Sequence, residues 1–185
     1  VLAALIQGLV MVGLVFLLAF VRAGGNIWSS LGLGAPVSIP WLKGIGGGLA
    51  LLTLSWFYGY LVSAYAEEVP TQALIEQFVE HRSLGGVLAF GFLVAILAPF
   101  TEELVFRGFV FGGARKNLGF WKAALLSSLA FTVIHLAFHW VPFVQILLLG
   151  VGLAWIYETS RNLWAPIIAH GIYNLAIVVL ILFSN

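Results

Sequence analysis

The sequence predicts an all-α fold, namely a polytopic transmembrane helical bundle with about six spanning helices plus a surface amphipathic helix. Three observations predict it. Hydrophobic residues make up 62% of the 185 residues and charged residues only 8%, whereas soluble proteins contain roughly 25% charged residues. The mean hydropathy is +1.11. The apolar residues are also collected into long runs separated by short polar stretches.

Six segments reach or approach the roughly 20 apolar residues that span a bilayer. They are 2–21, 43–63, 84–112, 122–139, 142–157 and 163–183. Each is expected to be a helix, because lipid offers no partners for backbone hydrogen bonds. In the third segment Pro99 removes one helical hydrogen bond, which predicts a kink or restart just before Thr101, with Thr101 as the cap. The fifth segment is short, which predicts a tilted or half-buried helix.

The remaining segments are assigned by pattern. Residues 71–82 place apolar side chains at helical spacing opposite Glu76 and Glu80, which predicts an amphipathic helix on the membrane surface. The glycines of 44–48 form a small-residue patch that lets helices approach closely. The chain begins at Val1 with no basic n-region, so its first apolar segment is interpreted as a spanning helix. We expect a single transmembrane domain over 1–185.

Charge and composition restrict the orientation and the function. If the six helices alternate, one face of the membrane receives most of the cations, and the positive-inside rule makes that face cytoplasmic. These cations are Arg22, Lys43, Arg115, Lys116, Lys122 and Arg161. A net charge of +1 gives no electrostatic footprint for nucleic acid. The absence of cysteine excludes disulfides, thiolate catalysis and cysteine-ligated zinc.

Ionisable and amide side chains gather on three of the predicted spans. An ionisable side chain at bilayer depth costs several kcal/mol, so it is expected to face inward and to be functional. At about 1.5 Å per residue, four polar side chains fall about 12 to 19 Å from the predicted cytoplasmic end of their helices. These are Glu102, His135, His170 and Asn174. Their similar depth predicts one buried polar pocket reached from the cytoplasmic side.

The glutamate pair predicts two different roles. Glu103 and Arg107 are four residues apart on one helix, so we expect them to form an ion pair that lowers the cost of burying both charges. Glu102 points about 100° away from Glu103 and has no local partner. A carboxylate in a dry pocket near an imidazole is suited to act as a general base. A purely structural role is the alternative for each residue.

The two histidines also have neighbours one helical turn away. Phe131 precedes His135 by four residues, so its ring can pack beneath the imidazole and limit its rotamers. His170 and Asn174 share the same spacing and can offer two donors to one oxyanion. Tyr173 is expected to point elsewhere and to serve packing. A hydrogen-bonded structural histidine is the alternative to a catalytic one.

These motifs in this order resemble the CPBP family of intramembrane proteases, which includes type II CAAX prenyl endopeptidases and bacteriocin-processing or abortive-infection proteins. The resemblance covers about 84–183. It implies an endopeptidase in which Glu102 and His135 activate water while His170 and Asn174 stabilise the oxyanion. Glu103 and Arg107 are then supporting residues.

The resemblance also implies partners and a location. The resemblance implies a peptide or protein substrate, either prenylated or similar to a leader or signal peptide. Prenyl proteases of this type have more spans than the six counted here, which weakens the prenylated alternative. The expected location is a prokaryotic cell membrane with the catalytic cavity toward the cytoplasm. Two alternatives are a transporter or proton-relay subunit and a non-catalytic immunity or scaffold protein.

No cofactor is firmly implied, and the need for a metal is left open. Glu102, His135 and His170 together form an oxygen and nitrogen ligand set that zinc accepts. The sequence contains no H-E-x-x-H motif. Water activation without a required metal is therefore favoured slightly over zinc.

Overall fold

The computed structural model describes residues 32–34, 40–65, 83–135 and 139–183, together with 6, 10, 13 and 15–17. All regular structure in these residues is helical, which confirms the predicted class. The helices are α1 Pro40–Val62, α2 Leu84–Phe92, α3 Ala98–Glu103, α4 Gly112–Ile134, α5 Trp140–Ser160 and α6 Trp164–Phe183. Two π-helical segments, Leu93–Leu97 and Leu104–Phe111, connect α2 to α3 and α3 to α4. Most of the predicted span 2–21 and all of the predicted amphipathic helix 71–82 lie outside the described residues.

The described residues contain 4 helical stretches long and apolar enough to cross a membrane, and one of them is 51 residues long. That stretch, Leu84–Ile134, is bent back on itself at Gly119, whose φ of 72° and ψ of 176° are not helical. Ser127 Oγ donates to the Phe106 carbonyl at 2.7 Å, and these two residues lie on opposite sides of Gly119 in the sequence. The stretch is therefore an antiparallel pair of helices, as the separate predicted spans 84–112 and 122–139 required.

Three predictions about these spans need correction. Helix α4, which carries Phe131 of the second polar motif, ends at Ile134 and not at residue 139. The fifth span is a full 21-residue helix, because Pro142 lies in its first turn, where a missing N–H costs nothing. His139 caps this helix by accepting a hydrogen bond from Val141 N–H at 3.3 Å. The third correction concerns the cap predicted at Thr101, because α3 begins at Ala98, just before Pro99 and directly after a π-helical segment. Thr101 donates to the Ala98 carbonyl and caps nothing.

Helix α1 packs closely against α6 through the predicted small-residue patch. A Cβ atom added at Gly44 would lie 2.9 Å from the carbonyl oxygen of Ala165, and one added at Gly48 would lie 2.9 Å from that of Ala169. At Gly46 no such neighbour is found within 4 Å. Glycine is thus needed at the first two positions because backbone atoms of α6 occupy the space of a side chain.

Cations lie together at one end of the bundle. Lys43, near the start of α1, donates from Nζ to the Thr159 carbonyl at 2.7 Å, near the end of α5. Glu158 accepts from Arg115 at 2.9 Å and from Arg161 at 3.3 Å. Lys43, Arg115 and Arg161 therefore share one end of the helices, as the predicted topology requires.

Candidate active site

Pro99 shapes the helix that carries the glutamates. The Ala98 N–H bonds to the Leu93 carbonyl, five residues back, which is the π-helical pattern. Because Pro99 has no N–H, the Val94 carbonyl loses its next available backbone partner. Asn174 Nδ2 on α6 donates to this carbonyl at 2.9 Å. Because of the proline, the Val94 carbonyl accepts a hydrogen bond from Asn174 on α6, the helix that carries the third polar motif.

A buried ion pair lies at the centre of the site. Arg107 donates from Nη1 to Glu103 Oε1 at 2.7 Å, and both side chains are 0% exposed. Its Nη2 donates to the Gly150 carbonyl on α5 at 2.9 Å. The guanidinium carbon also lies 4.7 Å from the centre of the Phe131 ring. The predicted pairing is thus observed, and the arginine additionally connects three helical segments.

Glu103 also orients His170. His170 Nδ1 lies 2.9 Å from Glu103 Oε1. A carboxylate that already accepts from Arg107 can only accept again, so Nδ1 carries the proton. The His170 side chain is only 2% exposed. Nε2, the other ring nitrogen, is directed toward Glu102, at 3.8 Å from its Oε2.

His135 is fixed by the end of α4. Its backbone N–H bonds to the carbonyls of Thr132 and Val133, so the Phe131 carbonyl is left without its usual helical partner. The His135 ring takes that place, with Nδ1 2.7 Å from the Phe131 oxygen. Because a carbonyl accepts only, Nδ1 is the protonated nitrogen here as well. The Phe131 ring lies 4.5 Å from the imidazole, as the four-residue spacing predicted.

Glu102 is the point where the motifs meet. Its Oε2 lies 4.0 Å from His135 Nε2 and 3.8 Å from His170 Nε2. Neither distance is a hydrogen bond. The side chains of Glu102 and His135 are 20% and 24% exposed, whereas that of His170 is 2% exposed. The site is therefore closed on the side of α6 and accessible at Glu102 and His135.

The structure brings together three of the four predicted catalytic residues and places the fourth one turn away. Glu102, His135 and His170 converge on one carboxylate oxygen. Asn174 lies four residues after His170, but one of its N–H groups is bonded to Val94. Tyr173, assigned to packing, is only 5% exposed, yet its hydroxyl takes part in hydrogen bonds.

Sequence reasoning missed the residues outside the motifs. Gly150 contributes only its carbonyl, and no sequence pattern marks a backbone acceptor. Gln145 had a visible signal, since it is the only strongly polar side chain in the apolar run 141–156. Its amide nitrogen donates to Ser55 and to Tyr173. Gly150 and Gln145 were not predicted because neither belongs to the three spaced motifs.

The zinc alternative does not fit these side chains as they lie. Zinc held tetrahedrally at about 2.0 to 2.1 Å brings its ligand atoms to about 3.3 Å from one another. The distances of 3.8 and 4.0 Å from Glu102 to the histidines are longer. Within the described residues, no group of three or more histidine or carboxylate side chains has the arrangement of a metal site. As they lie, these side chains therefore do not form a tetrahedral zinc site.

Comparison with known proteins adds a family. Residues 83–176 match the family model described as "Type II CAAX prenyl endopeptidase Rce1-like". The chain is 30% identical over 87 residues to "Putative membrane peptidase YdiL" of Bacillus subtilis, covering 46% of this chain and 34% of that protein. It is 32% identical over 96 residues to "Membrane-embedded CAAX protease MroQ" of Staphylococcus aureus, covering 49% and 38%.

A third relative, an uncharacterized 24.3 kDa protein of Escherichia coli, is 25% identical over 137 residues, which are 72% of this chain and 60% of that protein. Each of these matches spans less than two thirds of the relative's own length. No solved structure matches the chain. The family model covers just over half of the 185 residues, including all three polar motifs. The chain therefore belongs to the Rce1-like family of type II CAAX prenyl endopeptidases, a family of intramembrane proteases.

Proposed function

We propose that this chain is an endopeptidase that hydrolyses a peptide bond within the membrane with water activated by Glu102 and His135. The observation that carries the proposal is the convergence of Glu102 Oε2 and the two histidine Nε2 atoms at 3.8 and 4.0 Å. These gaps are too long for direct hydrogen bonds, and a water oxygen can lie about 2.8 Å from both atoms of either pair. Such a water would be held by the groups that must activate it.

The fixed tautomers support this assignment. The Nδ1 atom of His135 is committed to the Phe131 carbonyl, so its Nε2 lone pair can accept a hydrogen bond from the water and orient it. Glu102 takes the proton as the water oxygen bonds to the substrate carbonyl carbon. The C–N bond then breaks, and Glu102 returns the proton to the leaving amine. One water and one amide give one acid and one amine.

His170 and Asn174 are assigned to the oxyanion. Because His170 Nδ1 already donates to Glu103, Nε2 can donate only when the ring carries both protons. Asn174 keeps a second N–H beyond the one given to Val94. Each residue thus has one donor to offer.

The substrate class and orientation follow from the surroundings. Glu102 and His135 are partly exposed and lie in a stretch apolar enough to cross a membrane, so the proposed substrate is an apolar peptide, either prenylated or resembling a leader or signal sequence. Lys43, Arg115 and Arg161 mark one end of the bundle. By the positive-inside rule that end is proposed to be cytoplasmic, with the cavity reached from that side.

The test is cleavage by the purified chain in detergent, read by mass spectrometry of apolar peptides extracted from bacterial membranes. Glu102→Gln is expected to lower the rate by about 10² to 10⁴-fold, the usual contribution of a general base, without lowering the melting temperature. Glu158→Gln is the control, because it removes a carboxylate from the surface ion pair. Retained activity in Glu102→Gln, or no cleavage by the unchanged chain, would contradict the proposal.

A further inference from the structure

An apolar groove lies between α1 and α5, apart from the three motifs. Its volume is about 620 Å³. The two helices touch at its floor, where a Cβ on Gly152 would lie 2.4 Å from the Leu51 side chain. Farther along α1 and α5 the walls carry large exposed apolar side chains, among them Leu54 and Leu148, which are 63% and 54% exposed. The groove is therefore open toward the lipid.

Three polar side chains interrupt this apolar lining at one place. Ser55 Oγ and Tyr173 OH lie 2.8 Å apart, and Gln145 Nε2 lies 2.6 Å from the serine oxygen and 3.1 Å from the tyrosine oxygen. They come from α1, α5 and α6. All three side chains line the groove.

The hydrogen bonds within this cluster do not use all of its donors and acceptors. Gln145 uses both N–H groups, one on each hydroxyl, and the two hydroxyls share one further proton. Within the part of the chain that the structure describes, one O–H donor on Ser55 or Tyr173 is therefore left over. The side-chain oxygen Gln145 Oε1 has no donor within reach among the described residues. One donor and one acceptor thus remain at the edge of an apolar groove, where unsatisfied polar groups are costly.

A peptide group carries one carbonyl acceptor and one N–H donor, which is the complement of this pair. A lipid acyl chain carries neither. A spanning helix satisfies all its peptide groups internally, so only a chain that is locally unwound has them free. A protease needs such an unwound segment, because a peptide bond inside a helix is shielded from attack.

The groove lies beside the catalytic site and is separated from it by packed side chains. Tyr173 lies on α6 three residues after His170 and packs in the same apolar core as Phe131. The Phe131 ring lies 5.8 Å from the His170 ring. A chain held at the cluster is thus one aromatic layer away from the proposed reacting bond.

We propose that this groove docks an apolar substrate segment in which one peptide group is released from its helix and bound by Ser55, Gln145 and Tyr173. This inference rests on the proposed function and extends it, since it names where the substrate chain is held before cleavage. The cluster then sets specificity through the backbone and not through any one side chain of the substrate.

The test uses the lack of cysteine in the chain. Leu148→Cys, on the groove wall, is labelled with a benzophenone maleimide in the Glu102→Gln background, so that binding is read without cleavage. Leu175→Cys is the matched control, because Leu175 is 50% exposed, similar to the 54% of Leu148, and does not line the groove. The probe is a leucine and alanine peptide of about twenty residues, long enough to span a lipid nanodisc. Photoadducts are identified by mass spectrometry.

The second measurement changes the peptide and leaves the fold of the protein untouched. Each amide of the probe in turn is replaced by an ester, which removes one N–H donor. We expect one central ester to weaken saturable adduct formation at position 148 by about three- to tenfold, as the loss of one hydrogen bond would. The same ester should have no effect after Gln145→Leu.

Several results would overturn the inference. They are equal peptide adducts at positions 148 and 175, lipid adducts at 148 that the peptide does not displace, and binding insensitive to every ester. The last result would mean that the cluster only ties three helices together. If the unchanged chain cleaves peptides while no adduct saturates, the groove alone is refuted. If adducts saturate but the unchanged chain cleaves nothing, the proposed hydrolysis is refuted and the docking groove remains.

Discussion

Replacing Arg107 by methionine tests whether the buried ion pair holds the site together. The guanidinium is fully buried, and it bonds to Glu103 at 2.7 Å and to the Gly150 carbonyl at 2.9 Å. Methionine has similar length and fills most of the volume, but it leaves the Glu103 carboxylate with His170 as its only hydrogen-bond partner among the described side chains. The uncompensated charge is the dominant cost.

Breaking a buried pair by removing one partner costs about 3 to 5 kcal/mol. For a chain of this size, 1 kcal/mol changes the melting temperature by about 2 to 4 °C. Arg107→Met is therefore expected to lower the melting temperature by about 6 to 20 °C. Arg115→Met is the matched control. Its ion pair with Glu158 is partly exposed, at 37% and 16%, so its loss should cost at most about 1 kcal/mol.

The double variant Glu103→Gln with Arg107→Met separates charge from packing. If the cost comes from the unpaired carboxylate, the neutral amide recovers at least about 1 kcal/mol of it, the usual size of coupling between contacting residues. Thermal unfolding in detergent, followed by circular dichroism, compares the unchanged chain, the single variants Glu103→Gln and Arg107→Met, and the double variant. A melting temperature of Arg107→Met within about 2 °C of the unchanged chain would refute the reasoning, and so would strictly additive losses.

Three further predictions follow from the packing and the site. Asn174→Ala should lower both the cleavage rate and the stability, the latter by about 1 kcal/mol, because the Val94 carbonyl loses its partner; unchanged unfolding would show that this bond does not matter. Gly44→Ala should destabilise the chain by about 1 to 3 kcal/mol, since its Cβ would overlap a backbone oxygen of α6. Gly46→Ala, with open space around it, should leave the melting temperature equal or slightly higher. Dialysis against a chelator should leave peptide cleavage unchanged; activity lost and then restored by added zinc would instead establish a metal requirement.

The sequence predicted the helical class and the convergence of Glu102, His135 and His170, because hydrophobic runs and the cost of buried charge are local properties. It also predicted the Glu103 and Arg107 pair from their spacing alone. The site beyond these contacts depends on neighbours remote in sequence. Nothing near Arg107 in the chain marks Gly150 as its acceptor.

At Pro99 and His135 the prediction used local sequence alone, whereas the observed structure depends on the partners of backbone carbonyls. Pro99 was expected to cause a kink or restart, and a widened turn does precede it, but the bond from Asn174 of α6 to the free carbonyl was not predicted. His135 was expected in the middle of a helix, yet the helix ends beside it and the ring bonds to the last turn. In both cases an unpaired backbone carbonyl found a side-chain partner, and apolar periodicity carries no information about such bonds.

The widened turns on either side of the glutamates have a consequence for variation in length. A π-helical turn holds about one residue more than an α-helical turn, so deleting a single residue within Leu93–Leu97 can restore a regular helix without breaking it. Because the widened turn accommodates that extra residue, its loss would leave the side chains on the two sides of the deletion in nearly the same relative orientation. A deletion of one residue in a regular α-helical turn, for example within Leu84–Phe92, would instead rotate the preceding part of the helix by about 100° relative to the glutamates.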